Sequence, residues 1–127
     1  MSFAKIYTRG LLGLHAPQIE VEVHISSGLP SLTIVGLPEA AVRESKDRVR
    51  SAIIKSGFQF PSKRLTINLA PADLPKDGSR LDLPIALGIL IASGQLPENS
   101  TDGFEFLGDL ALSGHLRPFS VTLIIYM

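Results

Sequence analysis

Cysteine is missing altogether from the 127 residues, which excludes disulfides, thiolate nucleophiles and cysteine zinc sites together. Net charge is missing too. Twelve Lys and Arg stand against twelve Asp and Glu, so no global field draws in nucleic acid or anionic membrane, and any basic patch has to be local. The longest apolar run, Leu83–Ala92, falls far short of the ~18–20 residues that span a bilayer. The first residues lack the basic-then-apolar pattern of a signal peptide, since Phe3 to Leu14 is broken by Lys5, Arg9, Gly10 and Gly13. A soluble cytoplasmic chain with no membrane partner is expected. No phosphate-loop pattern G-x-x-x-x-G-K-S/T occurs, and neither does an internal repeat. His15, His24 and His115 are far apart and make no i, i+4 pair, so no metal site is expected from them.

What is present fits one ordinary domain with a single core. Residues 3–8 and 19–25 have strand patterns. In the second, Ile19, Val21, Val23 and Ile25 alternate with Glu20, Glu22 and His24, the period of a half-buried strand. Gly28-Leu29-Pro30 makes a turn into a third strand, Leu32–Val35. Pro38 opens a helix that runs to about Ser56 and stops at Gly57. Val42, Ser45, Val49, Ala52 and Ile53 share one face of it, edged by Arg43, Lys46 and Arg50. Leu65–Leu69 is a fourth strand. Asp82 and Pro84 mark the start of a second helix, with Asp82 as its cap, and Gly94 marks its end. That helix has no polar face, so it is expected to be buried on most sides. Phe104–Leu107 and Leu110–Leu112 continue as strands, with Ser113-Gly114 at a hairpin tip. The order β-β-β-α-β-α-β-β predicts an α+β domain, a mixed sheet packed with helices.

The loop Pro75–Arg80 precedes the apolar helix, where unpaired N–H groups and the helix dipole favour anions. Lys76 and Arg80 supply charge, Gly78 allows close approach and Ser79 can donate a hydrogen bond, with Lys63 and Arg64 as the next candidates for an anion or nucleic-acid contact. The bland alternative gives Gly78 to the turn and pairs Lys76 and Arg80 with Asp73 and Asp77.

Three segments carry a family resemblance. VGLPEAAVRESKDRVRSAI (Val35–Ile53), INLAPADLPKDGSRLDLPIALGIL (Ile67–Leu90) and GDLALSGHLRP (Gly108–Pro118) resemble the N-terminal domain of the ComM/YifB family of bacterial magnesium-chelatase-like AAA+ ATPases. The resemblance implies a Lon-protease-like, GHMP-kinase-like domain over residues 1–118 with a left-handed β-α-β crossover. It also implies a partner in the chain's own AAA+ motor domain, a ring-shaped homo-oligomer of the full-length protein, and work on DNA in natural transformation. ATP and Mg are expected only in that motor, so no cofactor is expected here. Residues 119–127, FSVTLIIYM, depart from the family pattern and are expected to be an atypical tail.

The same loop resembles the Lon active-site segment P-K-D-G-P-S-A-G through Pro75-Lys76-Asp77-Gly78. Arg80 then stands at the nucleophilic Ser position, with Ser79 one residue before it. Aligning the hairpin puts Ile125 where Lon has its Lys, and no lysine follows Lys76. A Ser–Lys peptidase needs both partners, so the resemblance implies a non-catalytic binding or assembly domain. A Lon-like protease domain and a phosphate- or nucleotide-binding domain are the alternatives.

Overall fold

Alternating apolar and polar residues set the sheet. The structure is a computed structural model that describes residues 2–10, 15–72, 76 and 78–117. Its elements are β1 (Ser2–Arg9), β2 (Gln18–Ser26), β3 (Ser31–Val35), α1 (Glu39–Lys55), β4 (Arg64–Ala70), a 3-10 turn (Gly78–Leu81), α2 (Asp82–Ala92), β5 (Asp109–Leu110) and β6 (Leu116–Arg117). The first four strands form one sheet in the order β1-β2-β4-β3. β2 is antiparallel to β1 and β4, whereas β3 runs parallel to β4. This is the mixed-sheet α+β class that the sequence predicts, with α1 as the crossover between the two parallel strands.

One face of the sheet is fully covered. Ile6, Ile19, Val21, Val23, Leu65, Ile67 and Leu69 are buried, while Glu20, Glu22, His24, Thr66 and Asn68 on the opposite face stay half-buried. Both helices therefore pack on the apolar side. α1 buries Ser45, Val49, Ala52 and Ile53, four of the five residues of its sequence stripe, and Gly57 takes the left-handed φ of +89° that ends it. α2 is buried nearly all round, as a helix without a polar face has to be. It lies so close to the sheet that a Cβ on Gly88 would sit 2.6 Å from Val23 Cγ2.

Two expectations need correction. Phe104–Leu107 is not a strand: it contributes one parallel bridge, Glu105 to Tyr7, and one bond from Phe106 N–H to the Tyr7 carbonyl. The segment is held along β1 mainly by side chains, with Glu105 accepting from Arg9 at 2.9 Å and from Gln18 at 3.2 Å. The next strand is shorter than expected and lies earlier, Asp109–Leu110, and it pairs with β6 around a turn at Ser113-Gly114. This ribbon docks on α1, where Ser51 Oγ donates to the Leu112 carbonyl at 2.6 Å. Residues 119–127 lie outside the described residues. Among the described residues, no helix is long and apolar enough to cross a membrane.

Candidate functional site

The loop chosen from the sequence leads into a helix start built unlike the expected one. The turn Gly78–Leu81 continues straight into α2, whose N-cap position is Leu81, without a side-chain cap bond. Asp82 points away from the helix backbone and is fully buried. Its carboxyl accepts from Arg48 Nε at 2.6 Å and Nη2 at 3.2 Å, from Ser45 Oγ at 3.0 Å, and from the Leu110 backbone N–H at 3.3 Å. One side chain thus ties α1, α2 and β5 together. Burial pushes the Asp82 carboxyl up from its ordinary value, and the bonds from Arg48, Leu110 and Ser45 pull it part of the way back. Arg48 is raised in turn, chiefly by its hydrogen bond to Asp82. Glu44 at 3.8 Å and Asp109 at 4.0 Å complete the set of carboxylates around it.

The donors at the helix start are partly engaged as well. Leu83 N–H donates to the Gly108 carbonyl at 3.1 Å, and Gly108 N–H donates to the Arg80 carbonyl at 3.0 Å. Pro84 has no N–H to offer. Lys76 Nζ donates to the Pro71 carbonyl at 2.6 Å, and Ser79 and Arg80 also have bonding partners. Asp73 and Asp77, the partners proposed for Lys76 and Arg80, lie outside the described residues.

The six residues singled out from the sequence do not form one group. Lys76, Gly78, Ser79 and Arg80 precede α2, whereas Lys63 lines a hollow with Ser93 and Gln95, just past its end. The 11 residues of α2 between them are about 16 Å long. Arg64 opens β4 and lays its guanidinium against Gly28. On its other side Lys63 meets the basic edge of α1. Lys46, Asp47 and Arg50 from α1, Pro30–Leu32 at the start of β3, and Phe60–Lys63 before β4 enclose a hollow of about 320 Å³. The Arg50 guanidinium carbon lies 5.0 Å from the Phe60 ring centroid, a cation–π contact.

Residues 21–127 match the family model for subunit ChlI of Mg-chelatase. The chain belongs to the ChlI family. It is 62% identical over 117 residues to the uncharacterized protein YifB of Escherichia coli, covering 92% of this chain and 23% of that protein. Competence protein ComM of Haemophilus influenzae is 56% identical over 117 residues, with the same coverage of each. An uncharacterized protein of Mycobacterium bovis is 41% identical over 118 residues, 93% of this chain and 24% of that protein. The chain therefore spans about a quarter of the length of these relatives.

In this ChlI-family chain, sequence reasoning missed two things. The first is the role of Asp82, which clamps elements together and caps nothing. A polar residue, Ser45, in the otherwise apolar stripe of α1 was the available signal, because a buried hydroxyl requires a partner. The second is the meeting of Lys46 and Arg50 with Lys63 around Phe60. These residues are separate clusters in the sequence, and only the path of α1 back over the sheet joins them.

Proposed function

We propose that this chain is the N-terminal, Lon-protease-like module of a magnesium-chelatase-like AAA+ ATPase that processes DNA, and that the module binds and assembles without catalysing. Its likeness to a competence protein at 56% identity supports the link to DNA processing, with branch migration in natural transformation as the step. The parallel β3–α1–β4 crossover is in keeping with the Lon-like kinship. The observation that carries the non-catalytic reading is the environment of Asp82. Asp82, the first carboxyl after the loop, is held by Arg48, Ser45 and Leu110, and Arg80 stands where a Lon-like nucleophile would be.

On this reading ATP and Mg belong to the motor, in keeping with the lack of a G-x-x-x-x-G-K-S/T phosphate loop in this sequence. Nucleotide chemistry then falls to the remaining three-quarters of a full-length relative, assembled as a cytoplasmic ring with this module beside the motor. The test removes this segment from a full-length relative of the YifB kind. ATP hydrolysis without DNA should persist, and its stimulation by DNA should be lost. Undiminished stimulation would refute the reading.

A further inference from the structure

We infer that the hollow between α1, the start of β3 and the entry to β4 is a seat for single-stranded nucleic acid, with Lys46, Arg50 and Lys63 holding the phosphodiester chain and Phe60 offering its ring to a base. The inference rests on the reading of the chain as a DNA-working module and adds the site and the strand type. Three cations and one carboxylate, Asp47, surround the hollow, a local excess of positive charge in a chain whose net charge is zero. Outside the hollow three cations are neutralised, whereas Arg43, Lys55, Arg64 and Arg117 stand scattered and also make no salt bridge among the described residues. Lys5 pairs with Glu20, Arg9 with Glu105, and Arg48 with three carboxylates. Lys46, Arg50 and Lys63 make no salt bridge among the described residues, so their charges remain available to a ligand.

The chemistry of the walls selects the ligand. Cations alone would suit any polyanion. The half-buried Phe60 ring carries the Arg50 guanidinium over it, and when Arg50 swings to a phosphate the ring is left as a stacking platform, which a splayed base can use and a paired base cannot. Exposed Ser31 and Ser62 add hydroxyls at the rim, and the hollow's volume of about 320 Å³ is within the range that admits a small-molecule-sized unit such as one nucleotide. The rim is held in shape by the Ser31 N–H donating to the Lys63 carbonyl at 3.3 Å.

The test is fluorescence anisotropy of a labelled oligothymidylate, and of a duplex of the same length, across a salt series. It compares the wild-type chain with Lys46→Ala/Arg50→Ala/Lys63→Ala, Phe60→Leu and Lys76→Ala/Arg80→Ala, each checked for an unchanged far-UV circular dichroism spectrum. Wild type should prefer the single strand. The triple variant should bind about tenfold more weakly at low salt, and its log–log salt slope should be shallower by about 2, at ~0.7 per lost contact. Phe60→Leu should weaken the single strand and leave the slope alone, since a ring carries no charge; unchanged affinity there would overturn the stacking role. If the triple variant matches wild type, the hollow is not the seat, while binding by wild type would keep the DNA reading alive. Loss confined to Lys76→Ala/Arg80→Ala would move the contact to the loop before α2. Displacement by polyglutamate as readily as by unlabelled oligothymidylate would overturn the nucleic-acid assignment in favour of an acidic protein partner. Absence of binding by wild type at low salt would overturn the hollow and the DNA reading together.

Discussion

Removing the Asp82 carboxyl should cost far more than removing a helix cap. In Asp82→Ala, the buried Ser45 hydroxyl and the Leu110 N–H both lose their acceptor, and a buried polar group left unsatisfied costs about 1–3 kcal/mol. Arg48 is less affected, because its side chain is 21% exposed and Glu44 and Asp109 remain within 4.0 Å. The sum is about 3 kcal/mol, against the ~1 kcal/mol of a lost cap. The reverse deletion, Arg48→Met, leaves a fully buried carboxyl without its cation, and breaking a buried pair from that side costs about 3–5 kcal/mol. Replacing both in Asp82→Leu/Arg48→Met should recover part of the loss, because no uncompensated charge remains. Urea unfolding followed by far-UV circular dichroism measures all three variants. A loss of 1 kcal/mol or less in Asp82→Ala, or single losses that simply add in the double variant, would refute the clamp.

Acid should report on the same residue. Burial raises the folded-state value of Asp82 above its ordinary 3.8, so in that window the folded chain binds more protons than the unfolded one. The contribution of this group to stability is therefore present at low pH and falls as pH climbs from about 3.8 through the raised value. Asp82→Asn should lack this component of the slope when urea midpoints are compared across the acid range. Gly88→Ala should destabilise by about 1 kcal/mol even though alanine favours a helix, because the added methyl meets Val23 Cγ2 at 2.6 Å and overpacking outweighs a propensity gain of about 1 kcal/mol; Val23→Ala in the same chain should relieve it, and a raised melting temperature in Gly88→Ala alone would contradict the tight contact. The chain should cleave neither casein nor small peptides, and it should not hydrolyse ATP; peptide cleavage abolished by Ser79→Ala would reopen the Lon-like protease reading.

The fold was legible wherever one side chain's environment follows from its neighbours in sequence. Alternation in Ile19–Ile25 marked β2, the Pro38 and Gly57 boundaries framed α1, and an apolar surface all round α2 foretold its burial. Phe104–Leu107 misled because short alternation is also what a segment shows when it lies beside a strand edge and uses side chains to hold on. Asp82 misled for a related reason. An acidic residue two positions before a proline looks the same whether it caps its own helix or reaches across to another, and only Ser45 and Arg48, more than thirty residues earlier, decide between the two. The six candidate site residues were separated by tertiary geometry that no local pattern carries: α2 stands between Arg80 and Lys63, while a turn of α1 brings Lys46 and Arg50 to Lys63.

β3 stands at the end of the strand order, so a single ladder, to β4, holds it in the sheet, with one further bond from Ser31 to Lys63 at its start. Its amide hydrogens should therefore exchange with deuterium through small local openings, well before those of β2 and β4, which are bonded on both sides. The first residues of β3 also form one rim of the basic hollow. A strand of phosphates laid across that rim would bridge α1, β3 and the entry to β4, and each opening of β3 would then have to break those contacts too. The weakest margin of the sheet becomes a gauge of occupancy: the exchange rates at Ser31 and Leu32 should fall when the hollow fills, while those in the centre of the sheet stay as they were.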